Sequence, residues 1–193
     1  MLRRSYEWLI CNADTKHAFW IIGAVSFLES CILPVPPDIM LVPMIMAKRS
    51  RAWLLAGWCT ITSVAGGIVS YGIGYYFYEG FGRGLLEFYG YMEKFDSFRE
   101  NYQELGPWIV GIGGATPFPY KVITIASGMT SLDIGVFIGA SILSRGVRFL
   151  AVCALLWYFG ERLRGFIDRH LGKVTLASFA VIIGGFYCIK FLF

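Results

Sequence analysis

Residues 52–78 form a run of 27 residues without a single Asp, Glu, Lys or Arg. As a helix this run is about 40 Å long, more than the roughly 30 Å hydrocarbon core of a bilayer. In lipid such a segment must close its own backbone hydrogen bonds, so it predicts a transmembrane helix. Composition agrees: of 193 residues 56% are hydrophobic and only 16% charged, where soluble domains carry about a quarter charged. A soluble domain of this size has no core large enough for that much apolar area, and the same balance excludes disorder. The expected fold class is an all-α integral membrane protein of one domain, residues 1–193. No cleavable signal peptide is expected ahead of it.

Two further spans are predicted. Residues 134–160 are also 27 long, with Arg145 and Arg148 near the middle. Residues 174–193 make an extra C-terminal transmembrane helix, with Lys190 placed to snorkel. Two other apolar runs are interrupted. Pro34, Pro36 and Pro37 split 18–47, and Pro117 and Pro119 split 105–131. The pieces of the first run are too short to span, so each run is either a kinked span or a re-entrant hairpin. Broken backbone at membrane depth is tolerated only where protein buries it or a cavity needs it. The five prolines are therefore expected to line a site.

The broken runs resemble each other. A shift of 83 residues aligns Pro34 with Pro117, Pro36 with Pro119 and Asp38 with Lys121. Each run precedes a 27-residue span, which predicts two repeats. The first is 17–78, with a re-entrant 18–47 and a span 52–78; the second is 105–160, with a re-entrant 105–131 and a span 134–160. If both are re-entrant, ten Lys/Arg share one side, among them Arg3, Lys48, Arg51 and Arg162. The loop 79–104 between the spans carries three basic and six acidic residues. The positive-inside rule then puts the N-terminus in the cytoplasm and the C-terminus outside, with the repeats inverted. Within 79–104, Phe81, Leu85, Phe88, Met92, Phe95 and Tyr102 follow a helical spacing that Phe98 completes, predicting an amphipathic interfacial linker. A shorter inner amphipathic stretch surrounds Leu163, Phe166, Ile167 and Leu171. Gly66, Ser70 and Gly74 make a smooth helix face, for packing within the chain or against a second copy.

The net charge of +4 lies mostly between apolar segments, so topology explains it and no nucleic-acid partner is expected. The five cysteines form no CxxC and, with two isolated histidines, offer no metal site. No nucleophile, metal or phosphate-loop motif of a conventional enzyme occurs, so neither catalytic residues nor a cofactor are expected. The informative residues are charges at membrane depth. Glu29 lies in an apolar helix and Asp38 follows Pro37; Asp38 can also serve simply as a helix N-cap. Lys121 follows the second break. Arg145 and Arg148 share a helix face, and Gly146 between them is expected to admit a close neighbour. One reading pairs either arginine with Glu29 or Asp38 for stability alone. The other makes Lys121, Arg145 and Arg148 a phosphate-headgroup site beside a helix N-terminus, with Glu29 and Asp38 releasing the ligand or coupling protons.

These residues resemble the DedA family, also called the SNARE-associated or VTT-domain family. They are Glu29 and the stretch Leu33–Pro34–Val35–Pro36–Pro37–Asp38; then Ala115–Thr116–Pro117–Phe118–Pro119–Tyr120–Lys121 and Ala126–Ser127–Gly128–Met129; then Arg145 and Arg148. The resemblance covers roughly residues 17–165 and is closest in character to the small YqaA-like branch. It implies two inverted re-entrant segments in a bacterial inner membrane. It also implies translocation of a phosphate-bearing lipid, a phospholipid or polyprenyl phosphate, linked in many members to the proton-motive force. Glu29 and Asp38 would be the acidic pair, Arg145 and Arg148 the basic pair. Where the family pattern after the second break has an arginine in Phe-x-Pro-x-x-Arg, this chain has Lys121. The charge stays but the bidentate fork is lost, so the polyprenyl phosphate substrate does not carry over directly. The competing expectation is a membrane scaffold or assembly factor whose buried charges are structural.

Overall fold

A computed structural model describes residues 16–32, 37–116 and 119–159. The predicted span 174–193, the inner amphipathic stretch near 163–171, and Pro34, Pro36 and Pro117 lie outside these residues. The elements are α1 (Lys16–Cys31), α2 (Asp38–Ala47), a 3-10 turn (Arg49–Arg51), α3 (Ala52–Phe77), a π-helical turn (Tyr78–Gly82), α4 (Arg83–Tyr89), α5 (Met92–Ala115) and α6 (Tyr120–Met129). The last is α7, Ile134–Phe159. No strand occurs among the described residues. Two helical stretches are long and apolar enough to cross a membrane, Arg49–Tyr89 with 41 residues and Ile134–Phe159 with 26. The architecture is that of an all-α, membrane-spanning protein.

Helix α3 is the axis of the packing. Its small residues let two other helices come close, and polar side chains then bond across the contact, as helices in lipid associate. Against α1, a Cβ on Gly66 would collide with the Phe27 carbonyl. The Ser26 hydroxyl donates to the Cys59 carbonyl at 2.9 Å, and Ser70 to the Ser30 carbonyl at 3.0 Å. Against α6, a Cβ on Gly74 would collide with the Ile125 carbonyl, and one on Gly128 with the backbone of Tyr71. The Tyr71 hydroxyl donates to the Leu132 carbonyl at 2.6 Å. The Gly66/Ser70/Gly74 face is thus used up inside one chain, by α1 and α6 in turn.

Two apolar cores lie along this axis. One joins Ile22 of α1, Leu41 and Ile45 of α2, Leu55 of α3 and Phe149 and Cys153 of α7. The other joins Tyr102 and Val110 of α5, Ile123 of α6, Leu132 just before α7 and Phe137 within it, with Tyr71 of α3 against it. The first core takes the start of α3 and the end of α7. The second takes the end of α3 and the start of α7, so those two helices run antiparallel. Cys31, Cys59 and Cys153 are buried and free, serving as small apolar residues.

The linker differs from its expectation of one amphipathic helix. The run from α3 continues through the π turn into α4, and Gly90 then ends it in the left-handed region, at φ 69°. There the Gly90 amide bonds to the Glu87 carbonyl and the Tyr91 amide to that of Leu86, the paired bonds of a Schellman cap. After this turn α5 runs unbroken past residue 105, through Pro107, to Ala115. The boundary that charge draws at 104/105 is therefore no boundary in the backbone. Tyr78 and Phe95 stack at 4.8 Å, which returns the start of α5 against the end of α3. Phe81, Leu85, Phe88 and Phe98 stay exposed.

Candidate functional site

Helix α1 stops at Cys31, before the first proline-rich break, and α6 begins at Tyr120, after the second. Both ends meet α3 near its midpoint: Cys31 bonds through its thiol to the Gly66 carbonyl, and the Tyr120 ring lies against Gly67. Arg145 stands near the midpoint of α7 and reaches the same level of α3, at Ser63. The end of α1, the start of α6 and the middle of α7 thus converge near the midpoint of α3.

All five charged candidates lie around this point. The Arg145 Nη2 donates to Glu29 Oε2 at 2.5 Å, and the Arg145 side chain has no exposure at all. Its Nε donates to Ser63 Oγ at 2.7 Å, and Ser63 shares a 2.8 Å bond with Ser30. The Tyr120 ring centroid lies 4.5 Å from the guanidinium carbon, a cation–π contact. One helical turn on, Arg148 Nη2 donates to Asp38 Oδ2 at 2.8 Å. That pair is more open, with side chains 19% and 31% exposed. Both arginines also lie near the Phe149 ring, which seats them on the apolar core.

Asp38 opens α2 without capping it, and Pro37 supplies no side-chain cap either. The simple N-cap role for Asp38 is therefore replaced by the bond to Arg148. Lys121 also has a partner within the fold. Its Nζ donates to the Ile32 carbonyl at 3.3 Å, just past the end of α1. A cation there complements the negative end of the helix dipole and occupies an orphan carbonyl. Lys121 thus ties α6 to the end of α1, while Arg145 ties α7 to α1 and Arg148 ties it to α2. Gly146 has no close neighbour to admit, since a Cβ there would meet only Thr60 Cγ2 at 3.8 Å. The Thr60 side chain already fills the gap. Of the five prolines, Pro37 is fully buried and Pro119 precedes α6 directly; the others lie outside the described residues.

Sequence reasoning missed the neutral members. Ser63, Tyr120 and Ser141 carry no charge and match no motif. Helical spacing could have found them, because Ser63 lies three residues before Gly66, and Ser141 four residues before Arg145. Among the described residues the buried side-chain polar atoms without a hydrogen-bond partner are Asp38 Oδ1, Tyr120 Oη, Ser141 Oγ and Arg145 Nη1. All four belong to this one neighbourhood. No cluster of three or more His, Cys, Asp or Glu suited to a metal ion occurs among the described residues.

Comparison with known proteins adds an identity to this geometry. The VTT domain matches residues 35–158, from the first break to the end of α7. A Haemophilus influenzae protein described as uncharacterized is 29% identical over 192 residues, which is 98% of this chain and 96% of that one. An uncharacterized protein of Histophilus somni is 34% identical over 171 residues, 89% of this chain and 87% of its own. No solved structure matches.

Proposed function

The chain belongs to the VTT-domain family, and from that premise we propose that it moves a phosphate-bearing lipid between the leaflets of a bacterial inner membrane. The observation that carries this reading is the placement of two arginines near the middle of a membrane-length helix, each paired with a carboxylate. Charge at that depth is expensive, and a purely apolar contact would hold the helices at less cost. The two inverted repeats are the reading of the fold that goes with it, supported by the antiparallel α3 and α7 and by the meeting of the end of α1 and the start of α6 at the middle of α3. In this reading the more open pair of Arg148 and Asp38 meets the headgroup, since an arginine fork suits phosphate oxygens. Asp38 and Glu29 are the groups that take up a proton when their arginine turns to the ligand. Lys121 at the Ile32 carbonyl holds the two breaks together, and its charge joins the site when that contact opens.

The scaffold reading has one observation in its favour: each arginine already holds a carboxylate, so the four charges balance without a ligand. Leaflet exchange separates the two. Purified protein in liposomes is expected to accelerate exchange of a labelled phospholipid or of undecaprenyl phosphate, and Arg148→Ala and Arg145→Ala are expected to abolish it. Well-folded wild-type protein that exchanges neither lipid, with or without a proton gradient, leaves the scaffold reading standing.

A further inference from the structure

The bond between Glu29 and Arg145 joins α1 to α7, and a ring from a third helix lies against it. The guanidinium is planar, and its bonds to Glu29 and Ser63 leave from the edge of that plane. The face of the plane is left for a ring, and Tyr120 of α6 takes it, 4.5 Å from the guanidinium carbon. The electron-rich face of an aromatic ring attracts a cation, most strongly where water is excluded. This ring is buried and closely bounded. A Cβ on Gly67 of α3 would lie 3.1 Å from its Cε1, and one on Gly114 of α5 3.6 Å from its Cδ2. Its hydroxyl faces Ser141 of α7. The Phe149 ring lies 5.3 Å from the same guanidinium, but it belongs to α7 and travels with the arginine. Tyr120 instead opens α6, directly after Pro119, so the second break sets where its ring stands.

We propose that Tyr120 is a positioning residue: the face of its ring holds Arg145 on Glu29, so that the place of α6 governs whether this carboxylate keeps its cation. The work is done by the ring and not by the hydroxyl. A ring of the same size with an electron-poor face fills the same space without holding the cation. The use of such control rests on the transport reading above and deepens it. Arg145 leaves Glu29 when α6 carries the ring away, and the acid on α1 then answers to the break that precedes α6. The pair of Arg148 and Asp38 is outside this control, because its guanidinium lies by Phe149 of α7 itself.

Carboxyl modification of the full chain in detergent at neutral pH tests this. Dicyclohexylcarbodiimide is apolar and adds to protonated carboxyls, so a carboxylate that keeps its arginine resists it. Peptide mass spectrometry reads Glu29 and Asp38 separately. The proteins compared are wild type, Tyr120→Phe, and chains carrying a monofluorinated or a trifluorinated phenylalanine in place of Tyr120. Fluorine withdraws electrons from the ring face with little change in size. Each protein is also followed by thermal unfolding and by leaflet exchange of the labelled phospholipid. Tyr120→Phe should label at Glu29 like wild type. Labelling there should rise with fluorine count, about tenfold for the trifluorinated ring, while Asp38 labels equally in all four. Should the trifluorinated chain not fold, the monofluorinated one, milder in both size and charge, gives the same order. Equal Glu29 labelling in Tyr120→Phe and the fluorinated chains overturns the proposal. So does a rise already complete in Tyr120→Phe, which assigns the holding to the hydroxyl, or an equal rise at Asp38, which reports general loosening. If Glu29 labelling follows fluorine count but wild type exchanges no lipid, the positioning role stands and transport falls. If wild type exchanges lipid and fluorine changes nothing at Glu29, transport stands and the positioning role falls.

Discussion

Arg145 is the residue on which the interior depends. A guanidinium with no exposure is tolerated only while its charge is neutralised, and Glu29 does this at 2.5 Å. Removing the acid alone strands the cation, which should cost about 3–5 kcal/mol. Glu29→Leu is therefore expected to be strongly destabilising, whereas Glu29→Leu combined with Arg145→Met should recover most of the loss. Unfolding of the single and double variants in detergent measures this coupling, and an additive result would remove the pair from the account. The same comparison in the exchange assay distinguishes roles, since a double variant that folds but does not transport has lost only its chemistry. That these charges matter was legible in the chain, because a carboxylate or arginine inside an apolar run is conspicuous. Which acid meets which arginine was not, since Glu29 and Asp38 are equally plausible partners for two cations three residues apart. Lys121 shows why: its nearest use is a backbone carbonyl, and no pattern of side chains announces an orphan carbonyl.

Among the elements, α3 carries the contacts that hold α1 and α6 in place. Gly74 admits the backbone of α6, so Gly74→Ala forces the two helices apart and should cost about 1–3 kcal/mol, with loss of exchange activity. Gly72, two residues away, has open space where its Cβ would be. Gly72→Ala should be neutral or stabilise by up to about 1 kcal/mol through helix propensity. Thermal unfolding of the two variants side by side tests whether proximity or glycine content governs this helix. The four-residue spacing of Gly66, Ser70 and Gly74 marked the face correctly, because an α-helix returns to one side every four residues or so. It did not say what the face meets. The linker was less readable. Aromatic spacing continues across Gly90, so the pattern suggests one helix where a left-handed glycine makes two.

Across the whole molecule the proposed inversion has a direct test. Ser50, before α3, and Asp96, in the first turns of α5, are exposed and lie toward opposite ends of the 41-residue helical run. In the proposed orientation Asp96→Cys should react with a membrane-impermeant thiol reagent in intact spheroplasts. Ser50→Cys should react only after the membrane is opened. The reverse order of labelling overturns the orientation, and labelling of both from one side overturns the single crossing between them. Helical content, the membrane class, the breaks and the charged residues all followed from the chain alone, because apolar run length, proline and charge act locally and are insensitive to what packs against them. The partners of those charges, the use of one glycine face by two helices, and the gathering of Tyr120, Ser141 and Arg145 were decided only by tertiary structure. They depend on the level at which α1, α6 and α7 meet α3, and that level is set by backbone contacts between residues far apart in the chain.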